Sequence, residues 1–261
     1  MRFFIVFLLA VSMFSCGHKE KVQTEQLKKI DEANKQIAER TKQAMTESLP
    51  QAVYEKYTAK PVITPNLIEP VKSRIYGNKT ARNKIVMLSD FACGHCGIAS
   101  KELRSRVDEN KSLVNLTYVF YPLDGRCNPF LKGHFTDYSC VSIKLMLCAE
   151  KQGKVWPAID FLYANQNDGN KNLITADQLA DKMEKQLGLK DLKKCVTSDW
   201  LNQRLKKEHE VYANMSVPGT PFVLLNNRQI GGVYKFRDSF GEFIKIVDSK
   251  SRPLKENSNR K

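Results

Sequence analysis

The sequence predicts one α/β domain that carries an inserted block of helices and is preceded by an N-terminal helical segment. Three observations predict it. A strand–helix–strand unit reads between Lys84 and Tyr121. An almost wholly helical pattern runs from about Pro129 to Met215. A β-hairpin and a helix close the pattern between Phe222 and Val247. At 261 residues with 42% hydrophobic content, the chain has ample material for a buried core.

The N-terminus is set apart from this domain. Phe3 to Val11 is apolar but too short to span a bilayer, and Arg2 precedes it. Residues 1–15 therefore read as an export signal that is removed and does not belong to the fold. Met13-Phe14-Ser15-Cys16 is similar to a lipoprotein cleavage site, which makes Cys16 the candidate for lipid attachment; the plain alternative is ordinary cleavage nearby. Both place the protein outside the cytoplasm, in the cell envelope or periplasm. From Lys19 to about Leu49 the chain is polar and free of Gly and Pro, with Leu27, Ile30, Ile37 and Ala44 at helical spacing and Asn34 and Thr41 on the same stripe. This predicts a solvated helical stalk, or a weak coiled coil with Asn34 at a seam position. Pro50, Pro61, Pro65 and Pro70 then mark a connector, so residues 16–70 read as stalk and linker.

The domain is expected over residues 71–248. Lys84 to Leu88 is a buried strand, Gly94 to about Asn110 a helix turning Ile98, Leu103 and Val107 inward, and Leu113 to Tyr121 a second central strand. In the insert, about 129–215, apolar stripes run through Ile143/Leu147, Ile159/Leu162, Leu179/Met183/Leu187 and Leu201/Leu205, with turns at Asn167 to Asn170 and at Gly188. Phe222 to Leu225 is a buried strand, Asn226-Asn227 a hairpin turn, Gln229 to Val233 its partner strand and Phe236 to Val247 a closing helix. Residues 249–261 read as a disordered tail.

The net charge of +14 raises nucleic acid as a partner, but the lysines are scattered and not interleaved with stacking aromatics. A basic surface that leans on anionic lipid or cell-wall polymer fits the pattern better. Seven cysteines in an exported chain need not be metal ligands. Setting Cys16 aside leaves Cys93, Cys96, Cys127, Cys140, Cys148 and Cys195, an even number compatible with one redox pair and two structural bridges.

The chemistry concentrates at Cys93-Gly94-His95-Cys96, at a strand-to-helix junction. Disulfide exchange needs a thiolate near neutral pH and a second thiol to resolve the mixed disulfide. Unsatisfied N–H groups at a helix N-terminus stabilise such a thiolate, so Cys93 is the expected nucleophile and Cys96 the resolving thiol. His95 adds a positive or donor group beside them, and Gly94 lets a substrate backbone approach. The metal alternative is half of a zinc site. The remaining cysteines are separated by 13, 8 and 47 positions, so no second closely spaced pair exists, and His134 with Cys140 would be a forced completion. Gly219-Thr220-Pro221 precedes a buried strand, where proline removes a ladder donor. The plain alternative is a loop-to-strand proline; with Cys-x-x-Cys upstream, a cis Thr220–Pro221 bond beside the sulfurs is expected, leaving the Thr220 backbone free to pair with substrate.

Gly77 to Ala81, Ile85 to Cys96, Tyr121-Pro122-Leu123-Asp124, Cys148 to Trp156 and Val217 to Pro221 together resemble the DsbA-like thioredoxin-fold proteins, over roughly Ile75 to Val247. The resemblance implies a thioredoxin fold with a helical insert and disulfide exchange with exported polypeptides. It places catalysis at Cys93, His95 and Cys96 and substrate binding at Gly94, Thr220 and Pro221. It implies no metal and no organic cofactor beyond the Cys93–Cys96 disulfide, and a membrane redox partner that resets the pair. It also suggests that Cys148 and Cys195 bridge two insert helices, leaving Cys127 with Cys140 as a second bridge or a second redox site. Gly94-His95 is similar to the dipeptide of eukaryotic disulfide isomerases, and Thr220 is similar to the residue before the cis-proline in bacterial isomerases such as DsbC. Met87 stands where some relatives carry a buried acid, with Asp90 a weak substitute. Oxidase, isomerase and reductase all stay open, dimerisation through the stalk being the mark of an isomerase. From a different class, a non-catalytic envelope binding module also stays open. His134 reads as a surface or core residue, Trp156, Phe161 and Phe222 as core, and Phe91 as core or groove.

Overall fold

The computed structural model describes residues 25, 28–37, 39–40, 52, 54–67, 71, 74–133, 136–166, 175–230 and 240–250. The expected signal segment, Cys16, His134, the Asn167–Asn170 turn and residues 251–261 lie outside them. The chain divides into two units, Met1–Gln51 and Ala52–Lys261. In the first, residues 28–37 are helical, with Ile30 and Ile37 both exposed. Among the described residues no helix is long and apolar enough to cross a membrane.

The second unit is built on a sheet in the order β1-β3-β2-β4-β5. These strands are β1 (Ile75–Gly77), β2 (Asn83–Ser89), β3 (Val114–Phe120), β4 (Phe222–Leu225) and β5 (Arg228–Gln229). β2 and β3 run parallel with Met87 opposite Tyr118, while β4 runs antiparallel to β2 with Val223 opposite Met87. Every residue of β3 and β4 is buried, as strands covered on both faces require. β1, to which the sequence reading assigned no strand, is a three-residue edge strand antiparallel to β3. Asn226 and Asn227 both take positive φ (45° and 66°), which turns β4 tightly into β5. Of the expected strand Gln229–Val233, only Gln229 falls in β5, and residues 231–239 lie outside the described ones.

Helix α1 (Gly94–Glu109) follows β2. The insert supplies α2 (Asp137–Lys151), α3 (Val155–Ala164), α4 (Ala176–Leu187), α5 (Leu192–Cys195) and α6 (Asp199–Glu210), and α7 (Phe240–Lys250) closes the unit. Their ends carry the expected signals. Thr136 and Ser198 cap α2 and α6, Thr175 and Gln178 form a capping box on α4, and Gly188 ends α4 in the left-handed conformation.

Strand parity sorts the core into two faces. Ile85, Met87, Leu116, Tyr118 and Phe120 face α1 and the insert, while Val86, Leu88, Val119, Phe222 and Leu224 pack on Val71, Val211 and Tyr212. On α1, Ile98 is a correction. The reading turned it inward, but it is 58% exposed, whereas Cys96, Ala99, Leu103 and Val107 are buried. At about 100° per residue, position 98 lies roughly 200° around the helix from Cys96 and so faces outward.

The segment read from its prolines as connector is bonded into this unit. The Tyr57 hydroxyl donates to the Leu225 carbonyl (2.9 Å), and Tyr57 stacks edge-on against Phe243. The Ile63 N–H donates to the Asn227 carbonyl (2.6 Å).

A buried ion network joins the insert to the sheet. The Arg74 guanidinium, fully buried, donates to Glu208 (2.5 and 2.8 Å) and to Glu150 (2.5 and 2.9 Å). Arg204 donates to the same two carboxylates (3.0 and 2.9 Å), and Glu208 also accepts the Phe120 N–H (3.1 Å). Burial pushes the Glu208 carboxyl up, but Arg74 and Arg204 outweigh it and hold it below its ordinary value.

Candidate active site

Cys93 stands at the N-cap of α1 with extended backbone (φ −85°, ψ 110°), and no side chain caps the helix ahead of it. α1 has no acidic residue in its first turn, so no carboxylate of the helix itself offsets the positive N-terminal end at which the sulfur stands. The turn before it is clamped from two sides. Asp90, buried, accepts from the Ala92 N–H (2.6 Å), the Leu123 N–H and the Ser139 hydroxyl (both 2.5 Å). Burial raises its pKa, against those three hydrogen bonds. From the other side, Gln166 Nε2 donates to the Phe91 (2.5 Å) and Cys93 (3.0 Å) carbonyls. Phe91 is buried against Phe120 and Tyr163, so it is core and not groove.

Cys93 and Cys96 are both free thiols, Cys93 9% exposed and Cys96 wholly buried. Their environments drive them apart. The hydrogen bond from Cys96, aided by Thr220 and the Cys96 N–H, outweighs burial and Asp90 and lowers the Cys93 pKa to about 6. Burial and the neighbouring Cys93 push the Cys96 thiol far up. One sulfur is therefore a thiolate at neutral pH and the other is a thiol.

The Thr220–Pro221 peptide is cis and closes the opposite wall. The Cys93 thiol, when protonated, donates to the Thr220 carbonyl (3.4 Å). Thr220 Oγ1 is buried without a hydrogen-bond partner, and the Thr220 side chain is one of the groups favouring the thiolate. Gly94 and His95 are exposed at the mouth, and a Cβ added at Gly94 would meet nothing within 4 Å. Beside them a groove of about 430 Å³ runs along α1, lined by Gly94, Ile98, Lys101, Glu102, Tyr163 and Gln166 among others.

The remaining cysteines stand apart from this pair. Cys127 is bonded to Cys140, and Cys148 to Cys195, which ties α2 to α5. Asp124 lies with Cys127 and Cys140 in a group of metal-ligand type, but both sulfurs are committed to their disulfide. Sequence reasoning passed over Gln166 and over Ser89, Tyr118 and Tyr163, which lie under Cys96. The one legible signal was Ser89, a hydroxyl on the strand parity of Ile85 and Met87.

No curated protein matches the chain by sequence. Among solved structures the fold is similar to BdbD from Bacillus subtilis (TM-score 0.55, 17% identity, 73% of this chain and 97% of that one). It is also similar to the catalytic domain of ScsC from Proteus mirabilis (0.51, 18%, 77% and 98%). A third is α-DsbA1 from Wolbachia pipientis (0.51, 17%, 68% and 91%). A family profile described as thioredoxin matches residues 69–246, which contain both thiols, the cis-proline and the whole insert. The chain belongs to the thioredoxin family, with a DsbA-like form of its fold.

Proposed function

We propose that the protein is an exported thiol–disulfide oxidoreductase that forms or reshuffles disulfides in exported polypeptides through Cys93 and Cys96. The observation that carries this is the opposed pair of thiols, Cys93 favoured as thiolate and Cys96 held as buried thiol, against Thr220–Pro221. In the oxidised protein an incoming substrate thiolate bonds to Cys93 Sγ, and the electron pair of the Cys93–Cys96 bond leaves on Cys96. A second substrate thiolate then displaces Cys93, so the substrate gains the disulfide and the protein keeps two reduced sulfurs. His95 tunes the couple from the mouth, Gly94 leaves room for the substrate, and the Thr220 backbone pairs with it. A thiolate stabilised at Cys93 stabilises the reduced form, which supports disulfide donation over reduction. A membrane redox partner re-oxidises the pair, and Cys16 anchors the protein in the envelope.

Ile30 and Ile37, exposed and seven positions apart on one helix, favour a second reading in which a dimer reshuffles wrong disulfides. The experiment is refolding of a reduced, disulfide-containing test polypeptide with wild type and Cys93→Ser, alongside sedimentation of the full chain. Wild type is expected to restore the polypeptide and Cys93→Ser to leave it at the uncatalysed rate. A Cys93→Ser protein as active as wild type would refute the mechanism, and a strictly monomeric chain would remove the isomerase reading.

A further inference from the structure

Opening of the Cys93–Cys96 bond leaves negative charge on a sulfur with no exposed surface. A charge without water or a donor there is costly, and that cost falls on the transition state. Met87, on the strand face beneath, is apolar, and the Asp90 carboxylate is taken up by Ala92, Leu123 and Ser139. What lies under Cys96 instead is a set of three hydroxyls. Ser89, at the end of β2, and Thr220 are the side chains whose hydrogen bonding favours a thiolate at Cys96. Tyr118 OH, fully buried on β3, donates to Ser89 Oγ (2.9 Å). Tyr163 OH, from α3 of the insert, lies 2.5 Å from Ser89 Oγ and also hydrogen-bonds Tyr118 OH.

We propose that Ser89, backed by Tyr118 and Tyr163, is the donor that holds Cys96 as a thiolate each time the Cys93–Cys96 bond opens or closes. This rests on the disulfide exchange proposed above. Each hydroxyl has one hydrogen: Tyr118 donates to Ser89, Tyr163 can donate to either of those two oxygens, and the Ser89 hydrogen is then left for the sulfur. Donation by the two phenols polarises the Ser89 hydroxyl toward Cys96. The balance is simple. The incoming thiolate supplies the pair for its bond to Cys93 Sγ, and the broken bond's pair goes to Cys96 Sγ. That thiolate accepts from Ser89 and then takes up a proton or attacks Cys93 Sγ again, expelling the incoming thiolate. Ser89 touches a reacting atom and is catalytic, while the two tyrosines are positioning residues.

An independent feature points the same way. Directly after Cys96, a Cβ on Gly97 would lie 3.0 Å from Tyr163 Cδ1 and 3.2 Å from its Cγ. Glycine at that position lets the Tyr163 ring pack close against α1, with its hydroxyl against Ser89.

The test uses the full chain with its Cys93–Cys96 pair oxidised, opened by reduced glutathione under stopped flow at neutral pH. Ser89→Ala should slow opening about tenfold or more, given that loss of one oxyanion donor costs about 10²–10³ and sulfur is a weaker acceptor. Tyr163→Phe keeps the ring and removes only the hydroxyl; it should slow opening several-fold, and Ser89→Thr should restore most of the rate. The equilibrium constant with glutathione should not move, because the neutral Cys96 thiol and the disulfide have little need of the donor. Alkylation of reduced Cys93 should stay within about twofold of wild type. Opening of Ser89→Ala and Tyr163→Phe at the wild-type rate would overturn the proposal. So would slowing matched by an equal change in alkylation and equilibrium, the mark of a disturbed fold. If Ser89→Ala does not fold, Tyr163→Phe decides. A wild-type pair inert to thiols would instead sink the proposed function, which keeps the two failures apart.

Discussion

Replacing Cys96 with alanine isolates what makes Cys93 a thiolate. Cys93 falls from an ordinary 9.0 to about 6, and the largest cause is the Cys96 hydrogen bond. Three units correspond to about 4 kcal/mol in favour of the thiolate. A hydrogen bond to a charged group contributes about 1.5–3 kcal/mol, so Cys96→Ala should raise the Cys93 pKa by roughly one to two units, to above about 7. The N–H at position 96, Thr220 and the helix terminus remain and hold the rest. The assay is the pH dependence of Cys93 alkylation, checked by thiolate absorbance in the ultraviolet. The linkage has a definite sign. A folded pKa below the unfolded one adds stability to the reduced protein that is complete above about pH 9 and lost as pH falls through 6. Unfolding of the reduced protein should therefore show stability declining over that window, and Cys96→Ala should flatten the decline. A midpoint that stays near 6 in Cys96→Ala would refute the reasoning and assign the shift to Thr220 and the helix terminus.

Arg74→Met leaves Glu208 and Glu150 with Arg204 as the remaining partner in the buried network, so it should destabilise the fold by about 3–5 kcal/mol in urea unfolding; a loss below about 1 kcal/mol would mean the insert does not depend on it. The two disulfides should rank by loop length. Replacing both Cys148 and Cys195 by serine opens a loop of 47 residues and should cost about 4 kcal/mol, against about 3 kcal/mol for the 13-residue loop of Cys127 and Cys140, and a reversed order would count against the chain-entropy account.

The elements that were legible in the sequence are those whose signal is local. β2, β3, β4 and α1 could be read from short runs because strand burial and helix periodicity repeat every two or three to four residues. Asn226-Asn227 declared its turn because both residues tolerate positive φ. β1 was not legible, since three residues carry no period and its pairing with β3 is decided some forty positions away. Ile98 was misread because one apolar residue does not say which arc of a helix is covered, and only the packing of Cys96, Ala99 and Leu103 on the sheet decides that.

The same division runs through the candidate site. Cys93-Gly94-His95-Cys96 at a strand-to-helix junction, with Gly219-Thr220-Pro221 before a buried strand, was enough by itself to propose disulfide exchange, because residue type and spacing carry that chemistry. The junction already named Cys93 as nucleophile and Cys96 as resolving thiol; what only the tertiary structure decided is how far apart they are driven, with Cys96 wholly buried and its hydrogen bond favouring the Cys93 thiolate at the helix end. Ser89, Tyr118, Tyr163 and Gln166 come from β2, β3, α3 and the segment just after it, and they meet only because the insert folds back over α1. A hydrogen bond across 74 positions leaves no trace in composition or spacing, and neither does the burial that makes it matter.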